Sequence, residues 1–348
     1  MNAQPVKDGT DKRKTNSEPS HSQFILEEER TMPITLLQNE LNKSTYSHSV
    51  QYVSQWQDKE VFIRIDELEV PYQFLINSFA YGNGMGNFAP VEFNITPFLN
   101  HDANLIQLKV DTPDDSQGNR SETALVLIRE PVLVRDILVT TYHQNISNQT
   151  LVRVHLFVQS FLTEKNKGRT LTMTILDPRG EILESSKKLI DFPLSYRQEV
   201  EFTFDQPLEN PFLWSIHHPA LYTARVSLVD EERNLAEKVW TTFGVRNAHV
   251  EDSLLIINQD TLIPKVLDYE SQIKPVAQSD KELLNLLEMQ GFNAVKSHQP
   301  IPSRLMEIFD RQGIVVFKKK DELDPSLDLR DVNRPSVVWI DKSLHFDK

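Results

Sequence analysis

Between Val132 and Phe243 the chain reads as a series of short apolar runs separated by turn signals, and this constrains its fold more than any other feature. The runs are Val134–Thr140, Leu151–Ser160, Leu171–Leu176, Val200–Phe204, Thr223–Val229 and Lys238–Phe243. Asp177-Pro178-Arg179-Gly180 and Asp230-Glu231-Glu232 punctuate them as turns. About seven strands within about 115 residues predict an immunoglobulin-like β-sandwich.

Upstream the texture is again β. Val61–Ile65, Tyr72–Asn77 and Leu105–Val110 are strand candidates, and Asp114–Asn119 is a polar break. Tyr81-Gly82-Asn83-Gly84-Met85-Gly86-Asn87 holds three of the ten glycines, so the backbone there needs positive φ or a close approach. Downstream of Val250 the period changes. Leu283, Leu284, Leu286 and Leu287 fall in a helical pattern stopped by Gly291, and Ser303–Gln312 is a second helix with Ser303 as its N-cap. Ala294-Val295, Ile314–Phe317 and Val337–Ile340 are buried strands, and strand alternating with helix predicts parallel βαβ units.

Composition removes several functions. Thirty-seven basic against fifty acidic residues leave a net charge of −13, which repels phosphate backbones and argues against nucleic acid as a partner. Without cysteine there is no disulfide, thiolate metal site, thiol nucleophile or iron–sulfur cluster. His217 and His218 make a metal pair without a nearby third ligand, so neither metal nor cofactor is expected. No apolar run reaches the ~18 residues that cross a bilayer. Residues 1–23 are polar, with no secretory core, and residues 1–30 are expected to be a disordered tether. The compartment stays open between the cytoplasm and, with a processed N-terminus, the periplasm or exterior.

Several motifs stand in order. Val61–Ile65, then Asn77-Ser78, then Gly82–Phe88, then Pro90-Val91-Glu92-Phe93-Asn94-Ile95-Thr96 and Asp102-Ala103-Asn104-Leu105 resemble the first domain of glycoside hydrolase family 2, the β-galactosidase, β-glucuronidase and β-mannosidase lineage. Arg135-Asp136 resembles that family's entry into its second domain, where the family's Trp and Ser-Gly are replaced. Asn210-Pro211-Phe212-Leu213-Trp214-Ser215, Pro219-Ala220-Leu221-Tyr222-Thr223 and Phe243-Gly244-Val245-Arg246 resemble its end. Asn258-Gln259, Asn293–Pro300, Asp310–Val316 and Arg330–Trp339 resemble the start of the family's (β/α)₈ barrel. The resemblance covers roughly residues 45–340. It implies a mainly β multidomain chain: a tail at 1–30, a jelly-roll sugar-binding sandwich at 31–128, an immunoglobulin-like sandwich at 129–247, and an incomplete (β/α) barrel segment at 248–348.

The resemblance also sets the chemistry. Retaining glycosidases use two carboxyl groups about 5–5.5 Å apart. Alignment on Trp339 places Leu344 at the acid/base position, and the strand of the nucleophile has no counterpart, so no catalytic residue is expected here. Phe317-Lys318-Lys319-Lys320 replaces the acidic run after the third strand, and Lys296 replaces an arginine. His298 matches a histidine that contacts sugar hydroxyls in the family, and Arg330 and Asn333 are further substrate-binding candidates. The expected function is carbohydrate binding or scaffolding of β-linked glycosides by a catalytically incomplete chain. One alternative is the N-terminal part of a split β-glycosidase completed by a second polypeptide; another is a non-enzymatic protein-interaction module.

Overall fold

The computed structural model describes residues 18–19, 25–26, 30–39, 44–65, 70–84, 90–110, 121–144, 148–162, 168–190, 194–230, 235–251, 254–273, 280–298, 301–319 and 330–340. Two very short strands come first, β1 (Glu18–Pro19) and β2 (Ile25–Leu26). Then follow β3 (Thr31–Gln38), β4 (Thr45–Gln51), β5 (Glu60–Ile65), β6 (Tyr72–Ile76), β7 (Phe79–Gly84), β8 (Val91–Asn94), β9 (Ala103–Val110) and β10 (Ser121–Arg129). They form one sheet in the order β1-β8-β5-β10-β3-β4-β9-β6-β7. β3 and β4 pair only at Leu37↔Ser47 and Gln38↔Tyr46, and there the sheet folds over onto itself. The two halves enclose Leu36, Ile63, Phe74, Phe93, Ile106, Leu108 and Val126, all buried. Phe74 and Phe93 stack at 4.0 Å.

The β6–β7 hairpin turns on Asn77 and Ser78, both at positive φ (50° and 68°). Two such residues make the turn whose twist matches a hairpin. Asn77 Nδ2 donates to Phe98 O and to Asn104 Oδ1, and its Oδ1 accepts from Leu105 N–H, which holds the turn down. At Gly84 a Cβ would lie 2.3 Å from the Tyr72 ring, so the strand passes there only as glycine. β3 carries Pro33, which lies in the part of that strand that β4 does not reach.

The second sandwich is built from β11 (Val132–Gln144), β12 (Gln149–Ser160), β13 (Arg169–Leu176), β14 (Ile182–Ile190), β15 (Glu199–Glu209), β16 (Tyr222–Asp230) and β17 (Leu235–Phe243). Its sheets run β11-β12-β15 and β14-β13-β16-β17-β2. Inward residues such as Val139, Val154, Leu156, Met173, Ile175, Val226 and Val239 fill the core between them. Strand pairing and alternation here follow the apolar runs of the sequence.

The seam between the two sandwiches combines apolar contact, with Phe62 and Leu127 packed into the second sandwich's core, with a set of ion pairs. Arg129 and Glu237, both fully buried, pair at 2.5 Å, and the other Glu237 oxygen accepts from Val134 N–H at 2.8 Å. Glu92 sits between Arg135 (3.0 Å) and Arg64 (3.6 Å). Glu130 accepts from Lys59 at 2.8 Å and faces Arg30 at 2.9 Å. Of the tether expected over residues 1–30, residues 18–19, 25–26 and 30 are described, and these are docked. β1 pairs with β8, β2 pairs with β17, and Leu26 is buried in the second sandwich's core. Here the buried Leu26 side chain and the Arg30 guanidinium are the anchors.

A hairpin sheet follows, of β18 (Ala248–Glu251), β19 (Leu254–Ile257) and β20 (Asp260–Leu262). Then come β21 (Val266–Asp268), a five-residue π-helix (Tyr269–Ile273), α1 (Asp280–Gln290), β22 (Ala294–Lys296), α2 (Ser303–Gln312), β23 (Val315–Lys318) and β24 (Val337–Trp339). These four strands form a parallel sheet in chain order. Alternation gives it two faces. Leu267, Val295, Val316 and Val337 pack on α1 and α2 through Leu283, Leu287, Met306 and Phe309. Ala294, Val315, Phe317 and Val338 pack with Trp214, Leu255 and Ile257. α2 starts at Ser303, whose N-cap is Pro302, so the serine expected as cap is the first helical residue.

Candidate functional site

The second sandwich docks under the N-terminal ends of the parallel strands. Gly313, at φ 72°, precedes β23, and a Cβ there would stand 2.2 Å from Ile216 O. Pro335, before β24, lies where a Cβ on Gly244 would come within 2.4 Å. Trp214 is fully buried, its Nε1 donates to Asp310 O at 2.8 Å, and its carbonyl accepts from Asn258 Nδ2 at 2.9 Å. Arg246 donates to Pro335 O and Val337 O. Burial lowers the Arg246 guanidinium to about 10, against the pull of Asp310. Asp310 accepts from Arg334 (2.8 Å) and from Ser336 Oγ (2.6 Å), and burial pushes its carboxyl up against those partners. One end of the sheet is therefore occupied, and the C-terminal strand ends face the other way.

Those ends carry a polar rim. Asp268 closes β21, Lys296 closes β22 and reaches Asp268 at 3.8 Å, and His298 follows two residues later, exposed. Asp268 Oδ1 accepts from Ser271 N–H (3.0 Å) and Oγ (2.7 Å). Burial raises its carboxyl, but the Ser271 hydrogen bonds and the charges of Lys296 and His298 outweigh it and hold Asp268 below the usual carboxylate range. Glu270 Oε1 accepts from Ser297 Oγ (2.6 Å) and His298 N–H (2.9 Å), so the backbone of His298 is pinned while its ring stays at the rim. On the third and fourth strands Lys318 donates to Asp331 at 2.9 Å and sits 5.1 Å over the Trp339 ring.

The sequence candidates separate. His298 lies at the rim. Arg330 does not face a ligand space: it is buried, forks onto Asp331 with two bonds of 2.7 Å, and donates to Ile301 O. Burial works upward on Asp331, but Arg330, Lys318 and Arg334 outweigh it and bring the carboxyl down to about 2. Asn333 is corrected in the same way. It is buried against β11, accepting from Val139 N–H at 2.5 Å and donating to Ile137 O at 3.2 Å, so its amide stands in for a strand on the β11 edge. Leu344 lies outside the described residues, as do Gly86, Asn87, Asp341 and Asp347. Asp268 and Glu270 escaped the sequence reading. Their signal is the cluster Asp268-Tyr269-Glu270-Ser271-Gln272 directly after an apolar strand. Among the described residues no group of three His, Asp or Glu side chains could hold a metal ion, and no helix is long and apolar enough to cross a membrane.

A model of the Glycosyl hydrolases family 2 matches residues 132–246, the second sandwich. A β-galactosidase of Vibrio cholerae is 22% identical over 293 residues, which is 78% of this chain and 28% of that protein. A protein of Lactobacillus helveticus named β-galactosidase large subunit is 24% identical over 303 residues, covering 77% of this chain and 45% of that one. Among solved structures, a Bacteroides uniformis β-glucuronidase superposes with a TM-score of 0.72 at 19% identity, over 85% of this chain and 40% of that chain. The chain thus spans less than half the length of these relatives. With two β-sandwiches followed by a parallel βα sheet, the chain is similar along most of its length to proteins of glycosyl hydrolase family 2, and its second sandwich matches that family's model.

Proposed function

We propose that these 348 residues act as the carbohydrate-facing, non-catalytic part of a family 2 β-glycosidase architecture, as a binding or scaffold module in glycoside breakdown. The units are then a jelly roll at 31–128, a sandwich at 129–247 and a βα segment at 248–348. The observation that carries this reading is the state of the rim carboxylates. A general acid needs a raised pKa and a nucleophile needs an open approach. Asp268 is instead held low by its Ser271 hydrogen bonds and nearby cations, Asp331 by its cations, and Glu270 Oε1 is occupied by Ser297 and His298. Asp310 on α2, whose carboxyl is raised, is buried at the opposite end. His298, Lys296 and Asp268 remain as hydrogen-bonding groups for sugar hydroxyls, and the ligand class is a β-linked glycoside. With few stacking surfaces at the rim, affinity is weak, about millimolar, near −4 kcal/mol.

The test is direct. The chain alone is expected to leave nitrophenyl β-galactosides, β-glucuronides and β-mannosides intact, and to show millimolar NMR shifts with the matching sugars that disappear in His298→Ala. Turnover abolished by changing one carboxylate sinks the proposal. A second reading has its own observation: β24 pairs only with β23 among the described residues, which leaves a sheet edge for further strands. In that reading a second polypeptide carrying the remaining βα units restores hydrolysis, and an assay of the two chains mixed decides it.

A further inference from the structure

β17 is the outer long strand of its sheet, and its edge is covered at two of nine positions, where Val239 faces Leu26 and Trp240 faces Ile25. Three anchors hold the covering segment. Leu26 is 4% exposed and lies in the sandwich core. Arg30 Nη2 donates to Ala236 O at 2.7 Å, further along β17, and Arg30 Nη1 faces Glu130 at 2.9 Å. Glu130 is held in turn by Lys59 of the first sandwich. The segment therefore touches both sandwiches at once.

We propose that the β17 edge is a strand-accepting surface, and that its occupant is the chain's own segment around Ile25–Leu26, bound as an exchangeable clip. The recognised pattern is a buried apolar residue followed four positions later by an arginine that reaches the Ala236 carbonyl and Glu130. Added strands draw affinity from main-chain hydrogen bonds and specificity from alternate side chains. A single buried leucine and a two-residue ladder hold far less than the sandwich core, so the clip opens more readily than the sandwich unfolds. While closed it covers part of an edge that would otherwise pair with foreign strands.

The experiment uses the full chain. In Leu26→Asp, the β17 amides at Val239 and Trp240 should exchange with deuterium about tenfold faster or more, while β12 and β13 are unchanged. A peptide of residues 20–31, added at millimolar concentration, should restore protection, and the same peptide carrying Leu26→Asp should not. Unchanged exchange in the variant, or no rescue by the peptide, overturns the proposal. Because the chain has no cysteine, Leu26→Cys with Val239→Cys gives an independent readout should Leu26→Asp fold poorly. Mild oxidation should give an intrachain disulfide in the monomer, and a disulfide-linked dimer or no disulfide at all overturns the clip in cis.

Discussion

The second sandwich has two neighbours and meets them with different chemistry. Toward the jelly roll it adds charge to the apolar contact with Phe62 and Leu127: Arg129 with Glu237, Arg135 with Glu92, and Glu130 with Lys59 and Arg30. Toward the parallel sheet it offers shape: buried Trp214, Gly244 with no room for a Cβ and Arg246 spent on backbone carbonyls, met from the other side by Gly313 and Asn258. An ion pair has strict geometry, and removing one partner leaves a buried charge behind. An apolar seam is sensitive to volume and indifferent to salt. The first seam thus adds orienting ion pairs to its apolar contact, while the second relies on close packing.

This contrast can be broken most strongly at Trp214. Trp214→Ala should cost about 4 kcal/mol by cavity formation and loss of the bond to Asp310, read as a lowered midpoint in urea with the slope retained. Among the ion pairs of the first seam, Glu237→Gln should cost about 3 kcal/mol because Arg129 stays buried without its counter-ion. Arg129→Met with Glu237→Leu should recover most of that loss. A double variant as unstable as the single one would mean that the pair contributes cohesion after all.

Acid should act on the other side. The folded Asp331 carboxyl sits at about 2 against an ordinary value of 3.8, so its contribution is present above pH 3.8 and is lost as pH falls toward 2. It amounts to about 2 kcal/mol. Asp310 has the opposite sign: its raised folded value means that its contribution is fully present below 3.8 and fades as pH rises through that raised value. Between pH 4 and 2 Asp331 therefore sets the slope, and Asp331→Asn should flatten the acid limb of a thermal-melt series. The smallest effect belongs to Lys59→Ala, under about 1 kcal/mol, because that lysine is part-exposed and Glu130 keeps Arg30.

Much of the fold was legible because strands announce themselves by alternation and helices by a 3.6-residue period. Val134–Thr140, Leu171–Leu176 and Ser303–Gln312 lie within or match the observed β11, β13 and α2. β14 was harder to see, since Glu184-Ser185-Ser186-Lys187-Lys188 interrupts its apolar ends. β3 was hidden by Pro33, which usually argues against a strand. The site was legible only in part. Arg330 and Asn333 were offered as substrate-binding candidates by the family resemblance of the Arg330–Trp339 motif. Their actual partners, Asp331 beside one and the Val139 backbone 194 positions from the other, show that both are internal fasteners. A pairing at that range leaves no trace in local pattern. Asn333→Ala would separate the roles, loosening the β11 edge while leaving sugar shifts at His298 intact.

Gly313 and Gly244 bring a consequence for how such a chain can change over generations. Both sit under the sheet, packed to the point where one methyl group is too many, so that end is closed to variation. Asp268, Lys296 and His298 sit at the far end, where loops tolerate exchange. On the proposed function, substitutions among these three residues would retune what is bound without disturbing how the modules hold together. Ligand preference and architecture can therefore drift on separate clocks.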